Sequence, residues 1–411
     1  MRYDIPSYCI KVLDMLTSAG YECYVVGGAV RDLVMGRIPS DYDVTTSAMP
    51  SETIDVLTSH GIRYLPTGLK HGTVMALVDG VTVEITTYRI DGGYSDSRHP
   101  DSVTFTRDIC GDVARRDFTM NAMYLDKDGC VRDDVGGLAD IASGIIRAVG
   151  DAKIRFREDA LRILRGVRFA AQTGFDIEPS TYDAMVSCAP LLANIAGERI
   201  AAELNGFLTA PYAASVFGPA VPVLSVFVPS VDAEVTVPVL ERLGGSGALS
   251  GAGSCSRDLS MALAALLLPC GVDGASGVLS DLRYANEIRD KVLGLLGGLE
   301  LEIVSSREDV HFFMSRLGVE MARDTVIFRR AAEPSSAGDC DGVLKVMSDL
   351  VASGAVFGVT DLEISGKDVI ALGVAPGPEV GVVLKRIFEM YVRGEMPNEH
   401  EALVKAVRAF L

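Results

Sequence analysis

The sequence contains no C-x-x-C pair, no apolar run near the length of a membrane span and no excess of basic charge. Its eight cysteines, at 9, 23, 110, 130, 188, 255, 270 and 340, are scattered without zinc spacing, so neither a zinc ribbon nor a redox pair is expected. Reduced, mostly buried thiols fit a cytosolic chain. The longest apolar run, "MALAALLLPCGV" from Met261, contains a proline and falls short of the ~20 residues a span requires. "MRYDIPSYCIKVLDML" at the N-terminus is broken by acids and a proline and lacks the apolar core of a signal peptide. No membrane partner is expected, and the cytoplasm is the expected location. Against 55 acidic residues stand 38 Lys and Arg, a net charge of -17. That argues against a non-specific coat on nucleic acid, yet permits a local basic groove on an acidic body.

What is present describes an ordinary globular protein, 48% hydrophobic and 23% charged. A chain of 411 residues exceeds one compact core, so two to four domains are expected. The first ~140 residues alternate helix and strand signals. "IPSYCIKVLDMLTSAG" has helical spacing, "ECYVVGG" reads as a strand running into a turn, and "AVRDLVMG" as a short helix. "DYDVTT" is a second strand, "PSETIDVLTSHG" a helix, and "GTVMALVDGVTVEITTYR" a hairpin turning at Asp79-Gly80. "DGGYSDSRHP" from Asp91 is a loop. Beyond about residue 146 helical patterns dominate, and "AKIRFREDALRILRGVRFAAQTG" predicts one long helix stopped near Gly174. Residues 210–240, rich in Val, Pro and Ala, carry no clear pattern, and Gly244–Ser256 has the composition of a flexible linker. No repeat of fixed period is present.

The chemistry begins at Gly27-Gly28. A strand, a glycine pair and a helix start make a place where an anion can approach the backbone, and Arg31 adds a charged fork. A plain turn has the same pattern. Asp41 and Asp43 follow one residue apart, so in a strand both carboxylates lie on one face. A divalent cation relieves their repulsion, and Mg²⁺ takes such hard oxygens with substrate phosphates completing its shell. Glu84 alternates with Val83 and Ile85 and offers a third carboxylate on a polar strand face; an ordinary solvent face is the alternative. In "RRDFTMNAM", Arg116, Asp117 and Asn121 are suited to ribose hydroxyls or phosphate oxygens, or to capping a helix.

Asp159 and Arg162, three residues apart, share a helix face. A surface ion pair is the plain reading. The pair also matches a base edge: a carboxylate accepts from the exocyclic amine of cytosine or adenine, while a guanidinium donates to a ring acceptor. Uracil and guanine place a carbonyl where that amine sits, which leaves the carboxylate facing an acceptor. From Arg147 to Arg168 seven basic residues, Arg165 and Arg168 among them, stand against three acidic ones, a locally basic stretch suited to a nucleotide or RNA backbone.

In order, Val26–Gly28 with Arg31-Asp32, Asp41-Tyr42-Asp43, the loop Tyr88–Pro100, Arg115-Arg116-Asp117 with Asn121, "DVGGLADI", Glu158-Asp159 with Arg162, Arg165–Phe169, and the late "ISGKDVIALGVAPGPEVG" resemble the bacterial class II tRNA nucleotidyltransferases, the CCA-adding enzymes. That family lies within the polymerase-β-like nucleotidyltransferases, together with bacterial poly(A) polymerases. The resemblance implies an α+β fold: a catalytic head with a mixed sheet over 1–145, then an all-α neck over 146–205, body over 206–330 and tail over 331–411. It implies Mg²⁺ on Asp41 and Asp43, triphosphate contacts from Gly28 and Arg31, ribose selection near Asp117, and base selection by Asp159 and Arg162 as a protein template. The implied partners are tRNA, CTP and ATP. The loop associated in the family with the switch from C to A addition is intact here, and the tail is closer to CCA-adding members than to poly(A) polymerases with their basic extensions. Poly(A) or A-only addition is the alternative within the same chemistry. None of the five histidines precedes an Asp, so no appended phosphohydrolase domain is expected. Residues 210–260 depart from the body expected of the family.

Overall fold

The computed structural model describes residues 2–66, 68–92, 102–245, 258–302 and 305–410. Most of the Tyr88–Pro100 loop, from Gly93 onward, and the Gly/Ser stretch from Ser246 lie outside the described residues. Backbone packing divides the chain into two compact units, one chiefly Met1–Ala233 with Ser280–Arg283, the other chiefly Tyr284–Leu411 with residues from Glu234 onward.

The first unit is built on seven strands: β1 (Cys23–Val26), β2 (Asp43–Thr46), β3 (Arg63–Leu65), β4 (Thr73–Val78), β5 (Val81–Thr87), β6 (Tyr124–Leu125) and β7 (Val131–Arg132). They form one sheet in the order β3-β4-β5-β2-β1-β6-β7. β2 and β5 run parallel and every other neighbouring pair antiparallel, the mixed sheet expected of an α+β head. The β4–β5 hairpin turns at Asp79 (φ 53°) and Gly80 (φ 82°), where an Asp-Gly pair supplies two positive φ angles.

Alternation along β5 buries Val83 and Ile85 and leaves Glu84 exposed. The buried face joins Val25, Val44, Val74 and Ala76 beneath the helices Ser7–Ser18 and Pro50–Ser59, which contribute Cys9, Val12, Leu13, Leu16, Val56 and Leu57. Glu84 and Asp43, the acid of β2, are thus left on the side away from this core, while Asp41 precedes the strand.

The stretch that reads as one helix up to Gly174 is two, Ala152–Glu158 and Leu161–Thr173. Asp159 breaks it, with extended backbone angles of φ -138° and ψ 104°. Its Oδ1 accepts from the Leu161 amide at 3.1 Å, the local side chain-to-backbone bond with which aspartate competes against helix. Residues 210–240, patternless in the sequence, are mostly helical: Ala213–Leu224 holds Pro219 and Pro222, and the helix from Ala233 holds Pro238. Burial of Phe217, Ala220, Val223 and Leu224 outweighs the missing amide donors.

In the second unit the helices Arg307–Leu317, Val319–Ala332, Ala337–Ala352, Pro378–Val392 and His400–Arg408 pack around two apolar clusters. The apolar run from Met261 extends further than its sequence suggests. Leu259–Asp281 is a helical stretch of 23 residues, long and apolar enough to span a membrane by composition. Its residues from Ala262 to Leu267 are no more than 1% exposed, so that segment belongs to the core.

His311 is buried in this unit. Its Nε2 lies 2.7 Å from the Val356 carbonyl, and the rings of Phe357, Phe388 and Tyr391 surround it at 5.2, 6.2 and 5.8 Å. Burial, with Arg307 nearby, lowers its pKa despite the bond to Val356. A depressed histidine pKa means the unfolded chain binds the extra proton first. The stability held by neutral His311 is therefore present above about pH 6.5 and lost as pH falls. We expect His311→Gln to flatten the loss of thermal stability between pH 7.5 and 5; an unchanged pH slope would remove His311 from this role.

Candidate active site

β1 delivers the chain to Gly27, whose φ of 76° and ψ of -135° require glycine. The turn starts the helix Gly28–Val34, and Arg31 on its first turn is held from both sides. Its Nε donates to Asp32 at 2.9 Å and its Nη1 to Asn121 Oδ1 at 3.0 Å. Gly27, Gly28 and Arg31 line a cleft of about 460 Å³ together with Asp43, Arg115, Arg116, Asp117, Asn121, Asp159, Leu161, Arg162, Arg165, Phe169 and Arg199. Six arginines face three aspartates there, so a locally positive pocket exists on a chain of net charge -17.

At one end of the cleft, Asp43 opens β2 opposite Val26. The parallel register Val44↔Ile85 places Glu84 beside it on β5. Partial desolvation and then the charges of Glu84 and Asp41 push the Asp43 carboxyl up to about 6, with Arg116 acting against them. Among the described residues no three His, Cys, Asp or Glu side chains close into a full metal cage. Asp41 and Asp43 remain hard oxygen donors whose repulsion a cation relieves, and such a pair suits an ion that takes its remaining ligands from substrate phosphates and water.

Two of the cleft's arginines, Arg115 and Arg116, rest on Asp112, a residue without a role in the sequence reading. This carboxylate is wholly buried and carries two guanidinium forks. Arg115 donates to Oδ1 at 2.9 and 2.5 Å, and Arg116 to Oδ2 at 3.1 and 2.7 Å. The Tyr124 hydroxyl adds a bond to Oδ2 at 2.9 Å. Desolvation pulls its pKa up, but Arg116 and Arg115 outweigh it and hold Asp112 below the usual carboxylate range. Asp117 is caged similarly. Its Oδ1 accepts from the Phe118 amide at 2.7 Å and from Asn121 Nδ2 at 3.3 Å, and its Oδ2 accepts from Arg165 Nε at 2.8 Å. Burial raises its pKa, but Arg165, the Phe118 amide and Arg162 together outweigh that, so it too lies below the ordinary range.

Asp159 and Arg162 both line the cleft, but the ion pair their spacing suggested is absent: among the described residues no ion pair joins them. Arg162 is bonded to Glu158 at 3.0 Å and to the Arg115 carbonyl at 2.8 Å. Asp159 accepts from Arg199 Nη2 at 3.4 Å. The helix break at Asp159 gives each member its own support. Not every expected site residue lines the cleft: Asp41 and Glu84 do not, and neither does Arg168. Arg168 turns to Glu203 at 2.6 Å and Gln172 at 3.0 Å. Of the seven basic residues from Arg147 to Arg168, five are held in ion pairs, so the stretch organises the site more than it offers free charge.

Of the other cleft residues, Arg199 was missed by the sequence reading, and Phe169 stood only at the end of a motif without a role. The guanidinium carbons of Arg31, Arg165 and Arg168 lie 5.2, 5.3 and 4.3 Å from the Phe169 ring centre, a shared cation–π support. An aromatic one residue after a run of helical arginines was its only signal.

Comparison with known proteins agrees with this geometry. Residues 23–147 match the Poly A polymerase head domain, 174–218 the "Probable RNA and SrmB- binding site of polymerase A", and 258–407 a tRNA nucleotidyltransferase domain 2. The CCA-adding enzyme of Geobacillus stearothermophilus is 35% identical over 409 residues, covering 96% of this chain and 94% of that protein. The enzyme of the same name from Streptococcus sanguinis is 35% identical over 404 residues, with 96% and 95% coverage. Among solved structures, the Bacillus stearothermophilus CCA-adding enzyme in complex with CTP aligns with a TM-score of 0.79 at 30% identity, over 98% of this chain and 96% of that one. The Thermotoga maritima CCA-adding enzyme complexed with tRNA_CCA, at 21% identity and a TM-score of 0.69, shares the fold. The nucleotidyltransferase family generally uses divalent metal ions. With a family head domain over residues 23–147 and near-full-length relatives on either measure, the chain belongs to the CCA-adding enzymes, the tRNA nucleotidyltransferases.

Proposed function

We propose that the protein adds C, C and A to the 3′ end of tRNA from CTP and ATP without a nucleic-acid template, releasing pyrophosphate. The carrying observation is the separation of Asp159 from Arg162 on the wall of an arginine-lined cleft that also holds Asp43. Gly28 and Arg31 receive the triphosphate, and Arg116, Asp117 and Asn121 hold ribose and phosphate oxygens. The terminal tRNA hydroxyl attacks the α-phosphate in line, a new O–P bond forms and pyrophosphate leaves with the old one. Asp41 and Asp43 hold Mg²⁺, and Glu84 stands as the third carboxylate. Bound there, the cation polarises the phosphate and stabilises the charge that develops. Arg165 acts through Asp117, and Arg168 through Glu203.

One pocket serves both bases because cytosine and adenine each present an amine to Asp159 and a ring acceptor to Arg162. Catalysis falls to a head over 1–145 and base selection to a neck over 146–205. A body over 206–330 and a tail over 331–411 hold the tRNA, in a cytoplasmic enzyme. With tRNA truncated before CCA, CTP alone should yield two added C residues, and CTP with ATP the complete CCA end. Addition of A without C would overturn this reading in favour of an A-adding enzyme. Asp159→Ala should relax selection against UTP by roughly tenfold or more, since a mispaired buried acceptor costs about 1–3 kcal/mol; base choice unchanged in that variant would end the template idea.

A further inference from the structure

Asp159 needs something to keep it from Arg162. Only two residues separate them in the chain, their charges are opposite, and Asp159 lies outside regular helix, free to swing. Its Oδ1 is tied to the Leu161 amide. One bond leaves a carboxylate able to rotate about it, whereas a second bond at the other oxygen fixes its plane. That second bond comes from Arg199, on the helix Gly197–Leu208.

Arg199 is itself firmly placed. The helix start is pressed on the chain at Asp281, where a Cβ on Gly197 would come within 2.2 Å of the Asp281 carbonyl oxygen. One residue on, Glu198 is paired with Arg283 at 2.7 Å. One turn further, Glu203 takes Arg168. Two ion pairs in opposite sense, Arg199 to Asp159 and Glu203 to Arg168, thus register this helix on the cleft wall. Arg199's grip is half made. Its bond to Asp159 is 3.4 Å, longer than a charge-assisted bond at its best, and its Nη1 is buried without an acceptor among the described residues.

We infer that Arg199 is a positioning residue for base choice: it draws Asp159 off Arg162 and fixes the carboxylate plane, so that the two present as separate acceptor and donor to the base. The inference rests on the reading of Asp159 and Arg162 as the base-selecting pair. Without Arg199, Asp159 collapses onto Arg162, and acceptor and donor are spent on each other.

The test compares kcat/KM for CTP, ATP and UTP on truncated tRNA, using the full chain and thermal melts in parallel. In Arg199→Met, CTP and ATP use should fall roughly tenfold to a hundredfold, the usual cost of a misplaced binding group, while UTP changes little, so the CTP-to-UTP ratio collapses. Arg199→Lys, which keeps a cation, should restore much of that ratio, an outcome a merely structural role would not give. If Arg199→Met fails to fold, Arg199→Gln carries the same comparison. A native ratio in the Arg199 variants beside a collapsed ratio in Asp159→Ala overturns this inference alone. A native ratio in Asp159→Ala overturns the underlying reading and this inference with it.

Discussion

Replacing Asp43 by alanine is expected to lower nucleotidyl transfer by about a thousandfold or more while the fold persists. A cation that polarises a phosphoryl oxygen is worth several kcal/mol in the transition state, and each ~1.4 kcal/mol is a factor of ten. Asp43 begins β2, Asp41 lies two residues before it, and both are exposed, so removing one takes no packing away. Asp43→Asn should go further and stabilise the metal-free protein. With its carboxyl pushed up to about 6, Asp43 keeps its proton in the folded state to higher pH than in the unfolded chain. Stability therefore falls as pH rises from about 4 to 6, and the whole cost is present at neutral pH. Solvent screening at an exposed group holds that cost to about 1 kcal/mol. Single-turnover transfer of labelled CTP, with melts in the presence and absence of Mg²⁺, checks both halves. Mg²⁺ should stabilise the parent and not Asp43→Asn. Transfer within tenfold of the parent would remove Asp43 from the chemistry.

These residues were also the easiest to read in the sequence. Glycines after a strand, two acids at strand spacing and a third on an alternating strand are short-range patterns, and the sheet only had to bring β5 alongside β2. The hairpin at Asp79-Gly80 was equally plain, because its turn demands particular residues. The neck was harder. The apolar spacing around Asp159 runs through the break between the two helices, so periodicity alone predicted one helix. What interrupts it is a side chain bonding its own backbone, together with partners from elsewhere: Glu158 and Arg115 for Arg162, Arg199 for Asp159. Arg199 lies 40 residues from Asp159, and no local pattern links them. The prolines of Ala213–Leu224 hid a helix for the opposite reason, since tertiary burial overrode a strong local signal.

Asp112 illustrates the same limit, and its replacement should have the largest effect on stability. In sequence it is one acid among 55. In the fold it is a fully buried anion taking four bonds from Arg115 and Arg116 and a fifth from Tyr124. Removing one partner of a buried charge cluster leaves the others uncompensated, at about 3–5 kcal/mol. For a unit of this size that corresponds to a fall in Tm on the order of 10 °C. The loss should reach the cleft, because Arg115 and Arg116 line it and the Arg115 carbonyl supports Arg162. Asp112→Asn should therefore raise KM for both CTP and ATP besides lowering Tm. Because Asp112 is held below the usual carboxylate range, its contribution is present above about pH 4 and lost as pH falls through the lower folded value. A double-mutant cycle with Arg116→Gln separates the pair from its parts. If the pair acts as one unit, the second substitution costs far less once Asp112 is gone. A Tm for Asp112→Asn within a few degrees of the parent, with KM unchanged, would show that the arginines hold their positions without it.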